Sequence, residues 1–240
     1  MFDKSANHAS LVGNTDGRNN VRTLREIKGL KFPDAFVTRW FFKQGLDRRP
    51  GRMLELGSGT GNNLALPLAY DWAVTGVDLQ SGALADARFN LGDAPKLIEA
   101  DLSKGLPALD DAPFDAVMIP NLLCYLRTVE AERVLSALVA QLAPNADVFL
   151  STRLIDDHRY AKGEEVEPRT WRLATEETGE AGLINRFYDA GELEALLART
   201  LGLYDIAALH AHFENIQAGG RVANSDLIVW GKAQGRKVGA

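Results

Sequence analysis

The chain has 240 residues, of which 46% are hydrophobic and 25% charged, as expected for one ordinary globular domain. The net charge of −5 argues against a tight nucleic-acid binder, which needs a basic face, and favours a small-molecule partner. A single cysteine, Cys124, excludes an intramolecular disulfide. The N-terminal segment lacks the apolar run of a signal peptide and no run of about 18 apolar residues occurs, so we expect a cytoplasmic protein without a membrane span.

Helical and strand patterns alternate through the first two thirds of the chain. Nearly continuous apolar strands in such an alternation indicate a parallel sheet that is covered by helices on both faces. The predicted elements, in chain order, are a helix at 34–46, a strand at 52–57, a helix at 60–70 kinked by Pro67, a strand at 73–79, a helix at 81–91, strands at 96–102 and 114–123, a helix at 129–143 and a strand at 147–155.

The pattern changes after this alternation. Residues 156–188 contain two short β-like runs, TWRLA and GLINRFY, joined by the turn-like EETGEAG, which together predict a hairpin. A helix at 190–202 and strands at 204–216 and 225–233 complete the chain.

A glycine-rich stretch, LELGSGTGNN, joins the first predicted strand of the alternation to the following helix. Gly57, Gly59 and Gly61 are spaced by two residues, whereas the dinucleotide fingerprint would place its third glycine at position 62, which is Asn62. The segment also lacks the Gly-Lys-Ser/Thr of a phosphate-binding P-loop. An NAD-type oxidoreductase is therefore disfavoured, although a ligand that approaches the backbone closely is expected.

The pattern Glu55-Leu-Gly57-Ser-Gly59-Thr-Gly61 resembles motif I of the class I S-adenosylmethionine-dependent methyltransferases. In that family an acidic residue at the end of the second strand binds the ribose hydroxyls, and Asp78 stands at that place. A second acidic residue ends the third strand and contacts the adenine amino group, and Asp101 occupies its position. From the residues alone, the alternatives are a helix cap for Asp78, a cap or turn residue for Asp101 and internal hydrogen bonds for Glu55.

The resemblance implies an α/β fold, a three-layer sandwich with a mostly parallel seven-stranded sheet carrying one antiparallel edge strand. It divides the single domain of residues 1–240 into an N-terminal helical cap or lid at 1–48, a cofactor-binding core at 52–155 and a hairpin insertion on the acceptor side at 156–188. S-adenosyl-L-methionine is the implied cofactor, with no metal. The implied cofactor-binding residues are Glu55, Gly57, Ser58, Gly59, Gly61, Asn62, Asp78, Leu79, Asp101, Leu102 and Pro120.

Residues for the methyl acceptor are sought at the end of the fourth strand and in the hairpin insertion. Asn121 and Tyr125 follow that strand and are candidates for orienting the acceptor, although both residue types also serve structural roles. His158 is the candidate general base because the pKa of histidine suits proton transfer at neutral pH, the alternative being a solvated loop histidine. His210 and His212 alternate on one predicted strand and so share a face. They could bind a metal as a pair, but the sequence offers no supporting carboxylate or cysteine cluster, which favours cross-strand packing.

These features favour an enzyme that transfers a methyl group from S-adenosylmethionine to a nucleophilic atom of a small molecule by in-line displacement. The alternatives are an RNA or protein methyltransferase and a regulatory protein that binds the cofactor without turnover. The acceptor, its reacting atom and the oligomeric state are not specified by the sequence.

Overall fold

The computed structural model describes residues 23–235, in which seven strands form one twisted sheet. The strands are β1 (Arg52–Leu56), β2 (Ala73–Asp78), β3 (Lys96–Glu99), β4 (Phe114–Pro120), β5 (Leu142–Arg153), β9 (Tyr204–Gln217) and β10 (Gly220–Ala233), and the order across the sheet is β3-β2-β1-β4-β5-β10-β9. Pairing from β3 to β5 is parallel, whereas β10 runs antiparallel to both β5 and β9. The predicted mostly parallel, seven-stranded α/β fold is confirmed.

Helices cover both faces of the sheet because their apolar residues recur with helical spacing. Helix α1 (Ala35–Lys43) buries Val37, Trp40 and Phe41 against one face. Helices α4 (Thr128–Leu138) and α5 (Ala190–Leu201) bury leucine-rich stripes against the other face. Helix α3 (Ser81–Leu91) follows β2, and its Leu91 contacts the apolar cluster of α1.

The predicted helix at 60–70 is wrong in its length, since only α2 (Ala65–Leu68) forms there. Residues 57–64 instead make the turns of the glycine-rich loop. The predicted kink is also absent, because Pro67 lies within the first turn of this short helix, where a proline costs no intrahelical hydrogen bond.

The hairpin insertion forms a second, three-stranded sheet of β6 (Gly163–Glu167), β7 (Thr170–Leu173) and β8 (Ile184–Arg186). The predicted pairing of TWRLA with GLINRFY is the β7–β8 pair. Strand β6 was missed because its sequence, GEEVE, has the charge of a loop. Trp171, Leu173 and Phe187 form the small core of this sheet, with Tyr160 packed against it.

The second sheet is tied to the end of β5. The Tyr188 amide donates to the Arg153 carbonyl at 2.9 Å, and the Ile155 amide donates to the Tyr188 carbonyl at 3.1 Å. The insertion therefore lies at the carboxyl edge of the main sheet, where open α/β sheets bind their ligands. Among residues 23–235, no helix has the length and apolar character needed to cross a membrane.

Candidate active site

The glycine-rich loop turns sharply at the carboxyl end of β1. The amides of Gly57 and Ser58 both donate to the Val77 carbonyl, at 2.8 and 3.0 Å, which fixes the loop beside the end of β2. The Gly61 amide closes the turn by donating to the Ser58 carbonyl at 2.9 Å. All three glycines have positive φ, between 51° and 79°, so a side chain at any of them would strain the backbone.

The glycines differ in how much space a side chain would find at each position. A Cβ on Gly61 would come within 2.8 Å of Leu91 and 3.2 Å of Ala87, so Gly61 allows α3 to pack closely. A Cβ on Gly59 would have nothing within 4 Å among the described residues. Gly59 therefore presents its backbone to open space, as a ligand-contacting glycine does.

Asp78, the last residue of β2, is held by two backbone amides. Its Oδ2 accepts from the Gly59 amide and its Oδ1 from the Gln80 amide, each at 2.8 Å. The half-buried carboxylate is thereby oriented beside the glycine-rich loop. Since a carboxylate oxygen accepts more than one hydrogen bond, both oxygens retain acceptor capacity for a ligand.

Glu55 is buried beneath the loop, with an exposed fraction of 1%. Its Oε1 accepts from Asn63 Nδ2 at 2.7 Å, and Asn63 Oδ1 accepts in turn from the Asp34 amide at the start of α1, at 2.8 Å. Glu55 Oε2 and the nearby buried Ser58 Oγ have no hydrogen-bond partner among the described residues. Burial, assisted by the charge of Asp78 and opposed by the Asn63 hydrogen bond, raises the pKa of Glu55 to about 8.

Asp101 follows β3 and caps the short 3-10 turn after it. Its Oδ1 accepts from the Ser103 amide at 3.0 Å and from Ser103 Oγ at 2.6 Å, and its Oδ2 pairs with Lys104 Nζ at 3.2 Å. These Ser103 and Lys104 contacts lower the pKa of Asp101. Leu102 is buried, whereas Leu79, directly after Asp78, exposes 60% of its surface. The ligand role of Asp101 stays a prediction.

Residues 23–34, here called the N-terminal strap, lie along the glycine-rich loop and α3. The amide and carbonyl of Lys28 bond to the Asn90 side chain at 2.9 and 3.0 Å, and Asn90 Nδ2 also donates to the Thr60 carbonyl at 3.0 Å. Asn62, predicted to bind the cofactor, donates to the Phe32 carbonyl at 3.2 Å and so holds the strap. The part of the predicted lid at 1–22 lies outside the described residues.

The Asn90→Ala variant should loosen the strap without unfolding the sheet. Three hydrogen bonds are lost at a partly exposed position, where each contributes about 0.5–1.5 kcal/mol. We expect ligand affinity at the loop, measured by calorimetry with S-adenosylhomocysteine, to fall by about tenfold or less. Arg88→Ala, on the exposed side of the same helix, is the control, and equal affinities in both variants would show that the strap does not assist binding.

Asn121 and Tyr125 lie at the end of β4, as predicted. Asn121 has a φ of 50°, its amide donates to the Ser151 carbonyl at 2.9 Å, and its Oδ1 accepts from Ser151 Oγ at 3.3 Å. Tyr125 is 37% exposed, and its hydroxyl donates to Glu180 Oε1 at 2.7 Å. Pro120 ends β4 and pairs with Ser151 of β5. Both candidates thus stand at the carboxyl edge of the sheet, in positions fixed by their neighbours.

A buried charge network, missed at the sequence level, joins Tyr125 to the insertion. Glu180 pairs with Arg153 at the end of β5, at 2.7 Å, and with Arg159 through Oε2 and Nε. Arg159 also binds Asp157 at 3.0 Å. Burial of Glu180 opposes its ionisation, but Arg153, Tyr125 and Arg159 outweigh it and lower the pKa. Glu180 sits in the loop EETGEAG, where no pattern distinguishes it from its charged neighbours.

His158 contacts a different set of groups. Its Nε2 lies 2.7 Å from Glu177 Oε2 and 2.6 Å from Lys162 Nζ. These contacts lie within the insertion, and the structure does not bring the imidazole to Asn121 or Tyr125. The general-base role of His158 stays a prediction. The rings of His210 and His212 lie 6.1 Å apart between centroids with their planes tilted by 49°, and no metal-binding cluster occurs among residues 23–235.

Known proteins resemble this chain in both sequence and fold. Residues 54–148 match a family model described as a methyltransferase domain. A protein-L-isoaspartate O-methyltransferase from Chromobacterium violaceum is 32% identical over 115 residues, which are 46% of this chain and 47% of that protein. The chain thus spans less than half the length of the curated relatives it matches.

Two solved structures share the fold at 18% identity. A SAM-dependent methyltransferase from Methanosarcina mazei aligns with a TM-score of 0.65, covering 84% of this chain and 99% of that one. A 1,6-didemethyltoxoflavin-N1-methyltransferase from Burkholderia thailandensis, solved with 1,6-didemethyltoxoflavin and S-adenosylhomocysteine, aligns with a TM-score of 0.55 over 82% of this chain and 76% of that one.

The sheet order, the reversed strand β10 and the glycine-rich loop after β1 define a Rossmann-like fold, the fold that the Methanosarcina methyltransferase shares. Residues 54–148 of this fold match the family model of a methyltransferase domain, so this segment is similar to methyltransferases in sequence as well as in fold.

Proposed function

We propose that this protein transfers the methyl group of S-adenosylmethionine to a nucleophilic atom of a small-molecule acceptor. The observation that carries the proposal is the oriented Asp78 carboxylate beside a glycine-rich loop that has open space above Gly59. The Burkholderia neighbour, whose structure contains a small heteroaromatic compound, supports a small-molecule acceptor as compatible with this fold.

The residues present fit the cofactor. Asp78 has acceptor capacity for the two ribose hydroxyls, and the exposed Leu79 beside it offers an apolar surface to the adenine ring. Glu55 Oε2, buried beneath the loop, has no hydrogen-bond partner among the described residues, and a polar group of the methionyl moiety would satisfy it. When bound, the cofactor supplies an electrophilic methyl group.

The protein contributes positioning and exclusion of water. The glycine-rich loop and the N-terminal strap enclose the cofactor from one side. Asn121 and Tyr125 at the end of β4, with the second sheet beyond them, form the acceptor side. Asp101 and Pro120 complete the proposed cofactor site, and a metal has no role in it.

The test is titration calorimetry of the full chain with S-adenosylmethionine and S-adenosylhomocysteine. We expect one molecule of either ligand to bind per chain and to raise the melting temperature. Absence of both heat and thermal shift would contradict the proposal. Binding without transfer of labelled methyl to any acceptor would favour a regulatory protein instead.

A further inference from the structure

Asp226 lies in the middle of the antiparallel strand β10, at the level where the parallel strand β5 reaches the carboxyl edge of the main sheet. It pairs in register with Arg153, the last residue of β5. Because side chains alternate along a strand, Asp226 shares a face with Ile228 and Trp230, which belong to the apolar cluster of α1. Its carboxyl group therefore faces the α1 side of the sheet, at the edge where β1, β4 and β5 end.

The carboxyl group of Asp226 accepts no hydrogen bond from any described residue, although it is partly buried. Four charged groups from three places interact with it: Arg153 on β5, Asp157 and Arg159 in the insertion, and Asp34 at the start of α1. Asp34 is linked through Asn63 to the glycine-rich loop, and Arg153 contacts Tyr125 after β4. Asp226 thus lies between the cofactor side and the acceptor side.

The two guanidinium groups near Asp226 are already paired. Arg153 binds Glu180 and the Asn185 side chain, and Arg159 binds Glu180, Asp157 and Asn224. Asp157 and Asp34 are also engaged, the former by Arg159 and the latter as the cap of α1. Of these five charged groups, only the Asp226 side chain has no hydrogen-bonding partner among residues 23–235.

We propose that Asp226 binds the methyl acceptor directly and that this acceptor presents an N–H or O–H nucleophile rather than a carboxylate. This inference rests on the proposed methyltransferase function. An unpartnered carboxylate favours a hydrogen-bond donor and repels an acid, whereas a carboxylate acceptor would need a free cation at this position.

The chemistry follows from this placement. As the bond from the nucleophile to the methyl carbon forms, the carbon–sulfur bond breaks, and its electron pair remains on the sulfur of S-adenosylhomocysteine. The N–H or O–H proton passes to the Asp226 carboxylate and later leaves to solvent. Burial, together with the charge of Asp157, raises the pKa of Asp226 to about 6, which makes it a stronger base than an exposed aspartate.

The experiment compares matched aromatic probes, namely benzylamine, phenol, benzyl alcohol and benzoate, with methyl-labelled S-adenosylmethionine. We expect transfer to an amine or hydroxyl probe and none to benzoate. Asp226→Asn should lower kcat/KM for that probe at least tenfold and weaken its binding to the S-adenosylhomocysteine complex, as measured by calorimetry. With phenol, wild-type kcat/KM should rise up to about pH 6 and then level off, and the variant should lose this dependence.

Two control measurements distinguish direct binding of the acceptor by Asp226 from a structural effect of the substitution. Asp156→Asn removes a neighbouring, exposed carboxylate that binds Ser225 Oγ, and it should behave as wild type. Asp226→Asn should keep S-adenosylhomocysteine affinity within twofold and a melting temperature no lower than that of wild type. Three results would each overturn the inference. They are transfer to benzoate alone, no transfer to any amine or hydroxyl probe by protein that binds the cofactor, and unchanged kinetics of Asp226→Asn. Failure of the proposed function would instead appear as absent cofactor binding.

Discussion

Asp78→Ala should weaken S-adenosylmethionine binding by about a hundredfold or more. The proposed ribose contacts are two hydrogen bonds to a charged acceptor, each worth about 1.5–3 kcal/mol. The carboxylate also orients the Gly59 amide, so its removal frees the loop that approaches the ligand. Both effects act in the same direction, and calorimetry with S-adenosylmethionine measures their sum.

The control for this variant is Asp110→Ala, which removes an aspartate whose side chain is 87% exposed, distant in sequence from the loop. It should leave the affinity unchanged. Far-UV circular dichroism should show that Asp78→Ala remains folded, because its two lost hydrogen bonds lie in a half-buried loop. Wild-type affinity in folded Asp78→Ala would show that the ribose is held by other groups.

Glu55→Gln should increase the free energy of unfolding at alkaline pH. The folded-state pKa of Glu55, about 8, is raised above the ordinary value of 4.5. Between these two pH values the folded protein retains a proton that the unfolded chain has lost, so the wild-type stability falls as pH rises through this window and is level above it. Glutamine mimics the neutral acid, keeps an oxygen for Asn63 and has no such dependence.

The loss of wild-type stability through this pH window is several kcal/mol, because a pKa difference of one between the folded and unfolded states corresponds to about 1.4 kcal/mol. Urea unfolding at about pH 5 and about pH 9 should therefore give similar stabilities for wild type and Glu55→Gln at the lower pH and a more stable variant at the higher pH. Glu99→Gln, an exposed position at the end of β3, serves as the matched control. Parallel pH profiles for wild type and Glu55→Gln would show that Glu55 ionises freely in the folded protein.

Much of the cofactor side of the site follows from local sequence. Gly57, Gly59 and Asp78 stand at strand ends, and parallel strands place their carboxyl ends at one edge, so their proximity follows once the strands are recognised. The apolar periodicity of α1, α4 and α5 also predicts which faces are buried. These features depend on spacings of a few residues, which a single sequence displays directly.

Two elements differ from their predictions because tertiary contacts override the local pattern. The helix predicted at 60–70 contains apolar residues at helical spacing, but the turns of the glycine-rich loop and the side chain of Asn63, used to bond Glu55, leave room for one helical turn. Strand β6 carries three glutamates and no apolar alternation, and it forms because β7 supplies a partner edge. In each case tertiary pairing outweighs the local pattern.

The sequence by itself determined the class of fold, the order along the chain of the strands of the main sheet and the residues that meet at the glycine-rich loop. Only the tertiary structure brought together the residues of the proposed acceptor side, where Tyr125, Arg153, Glu180 and Asp226 come from four separate segments. Contacts between segments so far apart depend on how the insertion packs on the end of β5 and on the reversed direction of β10. No spacing in the sequence encodes that packing, because the free energy that selects it comes from burial and charge pairing of the assembled whole.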